Sequence, residues 1–142
     1  MTPPISARAF LGRLNKDTIY LVDDFYDERI RFVDPVAMID SRTALKDYYA
    51  RLYRDVISIK FDFTEEVAKG DTLFLEWTMH LISRRNNGQP VSVKGISHIK
   101  FGGREGKAVY HRDYYDMGEF VYERIPVLSS VIRLIKSQLS GQ

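Results

Sequence analysis

Residues 73–101 read LFLEWTMHLISRRNNGQPVSVKGISHIKF, and their spacing decides the fold. Leu73, Leu75, Trp77, Met79 and Leu81 alternate with Phe74, Glu76, Thr78, His80 and Ile82. Alternation with a period of two marks a strand whose side chains divide between two faces. Val91, Val93, Gly95, Ser97, Ile99 and Phe101 continue the period after Asn87-Gly88, a pair that favours a two-residue hairpin turn. Upstream, Ile57, Ile59, Phe61 and Phe63 alternate in the same way. Downstream, Val109, His111, Asp113 and Tyr115 share one face of a further strand, with Tyr110, Arg112, Tyr114 and Asp116 on the other. The reading is an antiparallel meander of long strands.

The chain before residue 55 has helical spacing instead. Pro4 is placed to open a first helix, with Ile5, Phe10, Leu11 and Leu14 on its apolar face. Ile19, Leu21, Val22, Phe25 and Tyr26 mark a second helix ending near Asp27-Glu28. A short strand follows from Arg31 to Val33, closed by Asp34-Pro35. Ser41 is a good N-cap for a third helix that buries Leu45, Tyr48, Tyr49 and Leu52. Helices first and a meander afterwards predict an α+β fold, with helices packed on one face of a sheet. Leu128, Val131, Ile132 and Ile135 predict a terminal amphipathic helix.

The chain has 142 residues, read here as one domain over 1–142. Net charge is +2 with scattered basic residues, so nucleic acid is not an expected partner. The absence of Cys excludes disulfides and thiolate chemistry. No apolar run approaches a membrane span and no signal peptide is visible, so the expected location is cytoplasmic. Nine Tyr and eight Phe suit a ring-lined apolar pocket.

If Asn87-Gly88 is the turn itself, Thr78 faces Ser97 and His80 faces Gly95. Pairing Phe101 with Val109 then sets Ser97 against Asp113 and Gly95 against Tyr115. Three rows result: Glu76, Ile99 and His111; Thr78, Ser97 and Asp113; His80, Gly95 and Tyr115. On this register His80 is a candidate general base oriented by Asp113, and Gly95 leaves room for a pocket between His80 and Tyr115. Glu76, His80, His111 and Asp113 fall on one face but lack tight ligand spacing, so no metal is expected. His98 falls on the opposite face, at the surface or at a dimer interface.

The chain resembles the nuclear-transport-factor-2-like superfamily of SnoaL-like cyclases, ketosteroid isomerases and limonene epoxide hydrolase. Residues 26–35 (YDERIRFVDP) are similar to the isomerases' approach to the catalytic loop. Ser41-Arg42 with Tyr48-Tyr49 matches the third helix, and residues 87–90 (NGQP) match a hairpin turn. Residues 112–120 (RDYYDMGEF) resemble the last strand of the epoxide hydrolase. The resemblance implies a cone-shaped, strongly curved, mainly antiparallel sheet wrapped around N-terminal helices.

It also implies a pocket for a small, mostly apolar or amphipathic molecule, no cofactor, and a homodimer through the outer sheet face around Trp77, Met79 and Lys94. In the isomerases the residue matching Asp34 shuttles the proton. Their oxyanion-hole Tyr and un-ionised Asp match Phe10 and Ser97, and Tyr26 and Tyr49 match the supporting tyrosines. In the epoxide hydrolase the last-strand Asp matches Asp113, while its Arg and second Asp match Thr78 and His80. The expected catalytic residues are therefore Asp34, His80 and Asp113. Tyr26, Tyr49, Thr78, Ser97, His111 and Tyr115 are the expected ligand-binding residues. The implied activity is cofactor-independent acid–base chemistry of the isomerase, cyclase or hydrolase type. The alternative is a non-catalytic ligand-binding or protein-interaction domain.

Overall fold

Helix α1 (Ala7–Arg13) begins where the Ser6 hydroxyl accepts the Ala9 N–H, two residues beyond the expected opening at Pro4. A computed structural model describes residues 2–116 of the chain. Helix α2 (Leu21–Phe25) is a single short turn. The chain is already extended at Tyr26, so β1 (Tyr26–Val33) absorbs the end of the expected second helix. Arg29, Ile30, Arg31 and Phe32 do not keep an apolar face at helical spacing, and Ile30 and Phe32 are buried two residues apart.

A two-residue strand β2 (Met38–Ile39), absent from the sequence reading, folds back on β1. Helix α3 (Arg42–Tyr53) starts at Ser41, whose hydroxyl accepts the Ala44 N–H, and it buries Leu45, Tyr48, Tyr49 and Tyr53. Strands β3 (Val56–Lys69), β4 (Thr72–Ser83), β5 (Pro90–Lys100) and β6 (Ala108–Tyr115) form the meander.

The sheet order is β2-β1-β6-β5-β4-β3. All neighbours are antiparallel except β1 and β6, which run parallel with Phe32 opposite His111 and Val33 opposite Arg112. The meander reading did not contain this parallel pair, and it matters most for the site, because it brings the ends of β1 and β6 side by side. The helices cover one sheet face. Phe10, Phe25, Tyr26 and Tyr49 pack there as a nest of rings, with Phe10 stacked on Phe25 at 4.5 Å between centroids. Among the described residues no helix is long and apolar enough to cross a membrane. The expected helix around Leu128 to Ile135 lies outside the described residues.

The β5–β6 register is the expected one, with Gly95 opposite Tyr115, Ser97 opposite Asp113 and Ile99 opposite His111. The β4–β5 register is not. Leu75 pairs with Ser97, Trp77 with Gly95 and His80 with Ser92, a slip of three residues. The connection is longer than two residues. A 3-10 turn spans Arg84–Asn86, and Asn87 and Gly88 follow with φ of 54° and 71°. An odd slip turns every side chain of β4 to the other face. The cause is burial: Leu73, Leu75, Trp77 and Leu81 must enter the core with Val91, Val93 and Ile99.

Trp77 and Met79 therefore face the helices and cannot form the outer dimer surface expected of them. Thr78, His80 and Glu76 take the outer face, with Lys94 and His98. His98 stacks there on Phe74 at 4.3 Å, as its position in the sequence suggested. Gly95 is not an opening between His80 and Tyr115. The Trp77 indole lies on it, and a Cβ at Gly95 would stand 2.3 Å from the ring.

Gly95→Ala is thus expected to lower stability by about 1–3 kcal/mol through overpacking. Gly12→Ala, in α1 with nothing within 4 Å of the new Cβ, is expected to be neutral or stabilising by up to about 1 kcal/mol. Urea unfolding followed by circular dichroism measures both, and equal midpoints for the two variants would contradict the packing account.

Candidate functional site

Strand β6 presents His111 and Asp113 to the helix side. Ile99 and Ser97 of β5 stand opposite them, and Phe32 of β1 lies next to His111. The His111 side chain is fully buried, with its imidazole edge-on to Phe32 at 5.1 Å between centroids. Both ring nitrogens are bonded: Nδ1 to the Tyr26 hydroxyl at 2.6 Å, and Nε2 to Asp113 Oδ1 at 2.7 Å. The Tyr26 hydroxyl also meets that of Tyr49 at 2.9 Å. One donor ordering satisfies every member: Tyr49 O–H to Tyr26, Tyr26 O–H to Nδ1, and Nε2–H to Asp113.

Asp113 Oδ1 takes a second bond, from the Ser97 hydroxyl at 2.6 Å, and Ser97 accepts from the Trp77 indole N–H at 2.9 Å. Two chains of donors therefore converge on one carboxylate oxygen. Asp113 Oδ2 has no hydrogen-bond partner among the described residues.

Asp34 follows the end of β1, and Asp113 follows Arg112, the partner of Val33. The parallel pair thus sets the two carboxyls in one neighbourhood. Asp34 Oδ1 accepts the N–H groups of Val36 and Ala37, both at 2.8 Å, which forms the turn that the Asp-Pro sequence suggested. Its Oδ2 accepts the Tyr48 hydroxyl at 2.6 Å. Burial raises the Asp34 pKa above the ordinary carboxyl value; the three hydrogen bonds oppose the shift and the nearby Asp113 charge adds to it. Burial likewise pushes the hydroxyls of Tyr26, Tyr48, Tyr49 and Tyr115 well up, so each remains a donor at neutral pH.

Both carboxyls line a cavity of about 100 Å³ between α3 and the sheet. That is the scale of a single-ring molecule. Its walls are mostly apolar, including Phe32, Ile59, Phe61, Trp77, Met79 and Val93. Tyr48, Tyr49 and Tyr115 add hydroxyls.

The structure brings Asp34, Asp113, Tyr49 and Tyr115 to the cavity. It sets Tyr26, Ser97 and His111 behind it as the support of Asp113. It does not bring Thr78 or His80 there. His80 lies on the outer face, where Nε2 meets Asp62 at 2.8 Å and Nδ1 meets Ser92 at 2.8 Å. The expected His80–Asp113 contact is therefore not formed, Asp113 bonds His111 instead, and the four-residue set with Glu76 is split between two faces. Among the described residues no three His, Asp or Glu side chains gather as a metal set.

Tyr48 and Trp77 were not among the expected site residues. Tyr48 was readable only as a buried helix position, and Trp77 was assigned to the wrong face by the turn.

A raised Asp34 pKa has a definite sign. The folded state binds the Asp34 proton more tightly than the unfolded chain, so this group's contribution to stability is full below its ordinary value near 3.8 and is lost as pH rises through the folded value. Asn at this position keeps an oxygen for the Val36 and Ala37 N–H groups but carries no charge. The stability of Asp34→Asn relative to the native protein is expected to improve from about pH 4 upward and then level off. Denaturant midpoints from pH 3 to 8 measure it, and a native protein that gains on the variant as pH rises would contradict the assignment.

Compared with known proteins, the chain matches a family model for the SnoaL-like domain over residues 7–111. No curated protein matches it. Several solved structures share the fold. One is a protein with a ketosteroid isomerase-like fold from Catenulispora acidiphila, in complex with trimethylamine. It is 18% identical, with 92% of this chain and 95% of that chain covered and a TM-score of 0.66. Another, described as a SnoaL-like polyketide cyclase from Shewanella denitrificans, is 13% identical over 94% and 93% of the two chains, with a TM-score of 0.67. An NTF2-like protein from Burkholderia pseudomallei is 14% identical over 78% and 87%, also at 0.67. At these identities the likeness speaks for the fold.

Proposed function

The chain belongs to the SnoaL-like domain family, and from that premise we propose that its cavity binds a small, mostly apolar carbonyl compound and moves a proton on it without a cofactor. The observation that carries this reading is the clamp on Asp113. Ser97 and His111, both buried, fix one carboxylate oxygen from behind. The other oxygen is left for a ligand at the cavity wall. A positioned carboxylate of this kind is suited to remove a proton from carbon next to a carbonyl.

The Asp34–Tyr48 pair supplies the complementary role. The Asp34 carboxyl, whose raised pKa favours its protonated form, can donate to the oxygen that gains charge as Asp113 takes the proton, while the Tyr48 hydroxyl stays bonded to Asp34. Return of the proton from Asp113 completes an isomerisation or exchange. The role of base thereby moves from Asp34 to Asp113, and Asp34 lies on the acid side.

The test uses cyclohexanone, a single-ring apolar ketone, in deuterated buffer. Proton NMR is expected to show deuterium entering the α-positions faster with the protein than without it. Asp113→Asn should lower that rate by roughly 100-fold or more, and Asp34→Asn by less. A rate no higher than buffer leaves the second reading, a non-catalytic binding domain. That reading is favoured by the hydroxyls of Tyr26 and Tyr49, which bond each other and His111 rather than standing open.

In the favoured reading the protein works in the cytoplasm as a homodimer. The contact is the outer sheet face, where Phe74, Ile96 and Tyr114 are exposed. Ile96→Lys should then give a monomer in sedimentation velocity; an unaltered sedimentation coefficient would remove this part.

A further inference from the structure

The cavity has two chemically different ends. Asp34 is bonded to Tyr48 near the middle of α3, while Asp55 lies past the end of that helix, which is itself about 7 Å of rise beyond Tyr48. On the sheet side Trp77 and Ser83 both line the cavity, and six strand residues separate them by roughly 20 Å. At the end away from the paired carboxyls the lining changes to Arg51, Asp55, Ser83 and Arg85.

That end is strongly basic. The Asp55 carboxyl is held below its ordinary value, first by the hydrogen bond from Arg85 and then by the charges of Arg85, Arg54 and Arg84. Arg85 Nε lies 2.7 Å from Asp55 Oδ2, and Arg54 Nε lies 3.9 Å from the same oxygen. Arg85, Arg54 and Arg84 thus share this one carboxylate, and Arg51 lines the same end of the cavity. Arg51 is exposed, lines the cavity, and has no hydrogen-bond or ion-pair partner among the described residues. Because Arg85 meets Asp55 through Nε, its two terminal nitrogens are left for another acceptor.

We infer that the cavity selects an amphipathic carboxylate, with the acid group held by Arg51 and Arg85 at the rim and the apolar body directed toward Asp113. This rests on the reading of the cavity as a ligand site and names the substrate class for it. Guanidinium groups pair with carboxylates in a planar, two-bond geometry that neutral ligands cannot match. The charge pattern also sets direction. An acid group entering first would meet the carboxyls of Asp34 and Asp113, so the opposing ends of the cavity admit only one orientation. The end that carries no charge then reaches the proton-transfer site.

Trp77 lines the cavity and is the single Trp of the chain, so its emission reports occupancy. The probes are 4-phenylbutyrate and 4-phenylbutan-1-ol, which share an apolar body and differ in the acid group. Titrated into the full chain at neutral pH and low salt, the acid is expected to bind at least tenfold more tightly than the alcohol. Added salt should shrink that preference. Arg51→Gln should reduce it, and Arg51→Gln with Arg85→Gln should abolish it, while the alcohol's affinity stays within about twofold of native, which shows that the variants retain the cavity.

Equal binding of acid and alcohol overturns the carboxylate anchor and leaves the proton-transfer reading standing. A preference that survives in the double variant also overturns it. If neither probe changes Trp77 emission, the anchor falls together with the apolar cavity as a ligand site.

Discussion

The fully buried imidazole of His111 is the constraint on which the rest of the site depends. A buried polar ring is tolerated only when both nitrogens find partners. Here one partner comes from the start of β1, through Tyr26, and the other from two residues along β6, through Asp113. Meeting the first condition requires β1 to run alongside β6. Meeting the second turns Asp113 inward, where Ser97 and then Trp77 continue the chain of donors across β5 and β4. Three aromatic side chains, Tyr26, Tyr49 and Trp77, thus serve as both core filling and hydrogen-bond donors. No buried side-chain nitrogen or oxygen among the described residues is left without a partner. The apolar packing and the polar chain are one construction, since loss of either the rings or the donors would leave the other unsupported.

The same construction explains why two carboxyls can share a small apolar cavity. Like charges in a low-dielectric site repel, and one way out is for their environments to differ. Asp113 is supplied with two donors on one oxygen. Asp34 is supplied with a turn and a phenol, yet its burial still raises its pKa. The pair therefore need not carry two charges at once, and in the proposed reaction a ligand that develops negative charge beside them would meet a donor on one side and a base on the other. An arrangement of two identically placed carboxylates would not give this division of labour.

Much of this was legible in the sequence because it depends on local chemistry. Ser41 caps its helix because a hydroxyl before an apolar-periodic run has a backbone N–H to accept. The β5–β6 register follows from the alternation of Val93, Ser97 and Ile99 with Asp113 and His111. What was not legible depends on competition between local and global terms. The Asn-Gly pair favours a tight turn, but a two-residue turn would put Leu75 and Trp77 in water. Burial of those side chains prevails, and the connection lengthens by a 3-10 turn. The parallel β1–β6 pairing spans more than seventy residues of sequence, and no periodicity encodes it. For that reason Asp34 and Asp113 were each picked out from sequence while the strand pairing that sets them side by side was not.

Two histidines show how much the face of a strand decides. His80 and His111 each bond a carboxylate and a hydroxyl: Asp62 and Ser92 in one case, Asp113 and Tyr26 in the other. By inventory the outer set, Ser–His–Asp, looks the more reactive. Its His and Asp side chains are 43% and 52% exposed, against 0% and 17% for His111 and Asp113. In water the outer pair is screened, competes with solvent for every bond, and has no enclosed volume in which to hold a reactant. The inner pair is largely buried, so each hydrogen bond to its carboxylate carries more weight and its direction is fixed. A three-residue slip between β4 and β5 is what separates these two fates for His80. Register, which residue type alone does not give, therefore decides which histidine is enclosed and which faces water.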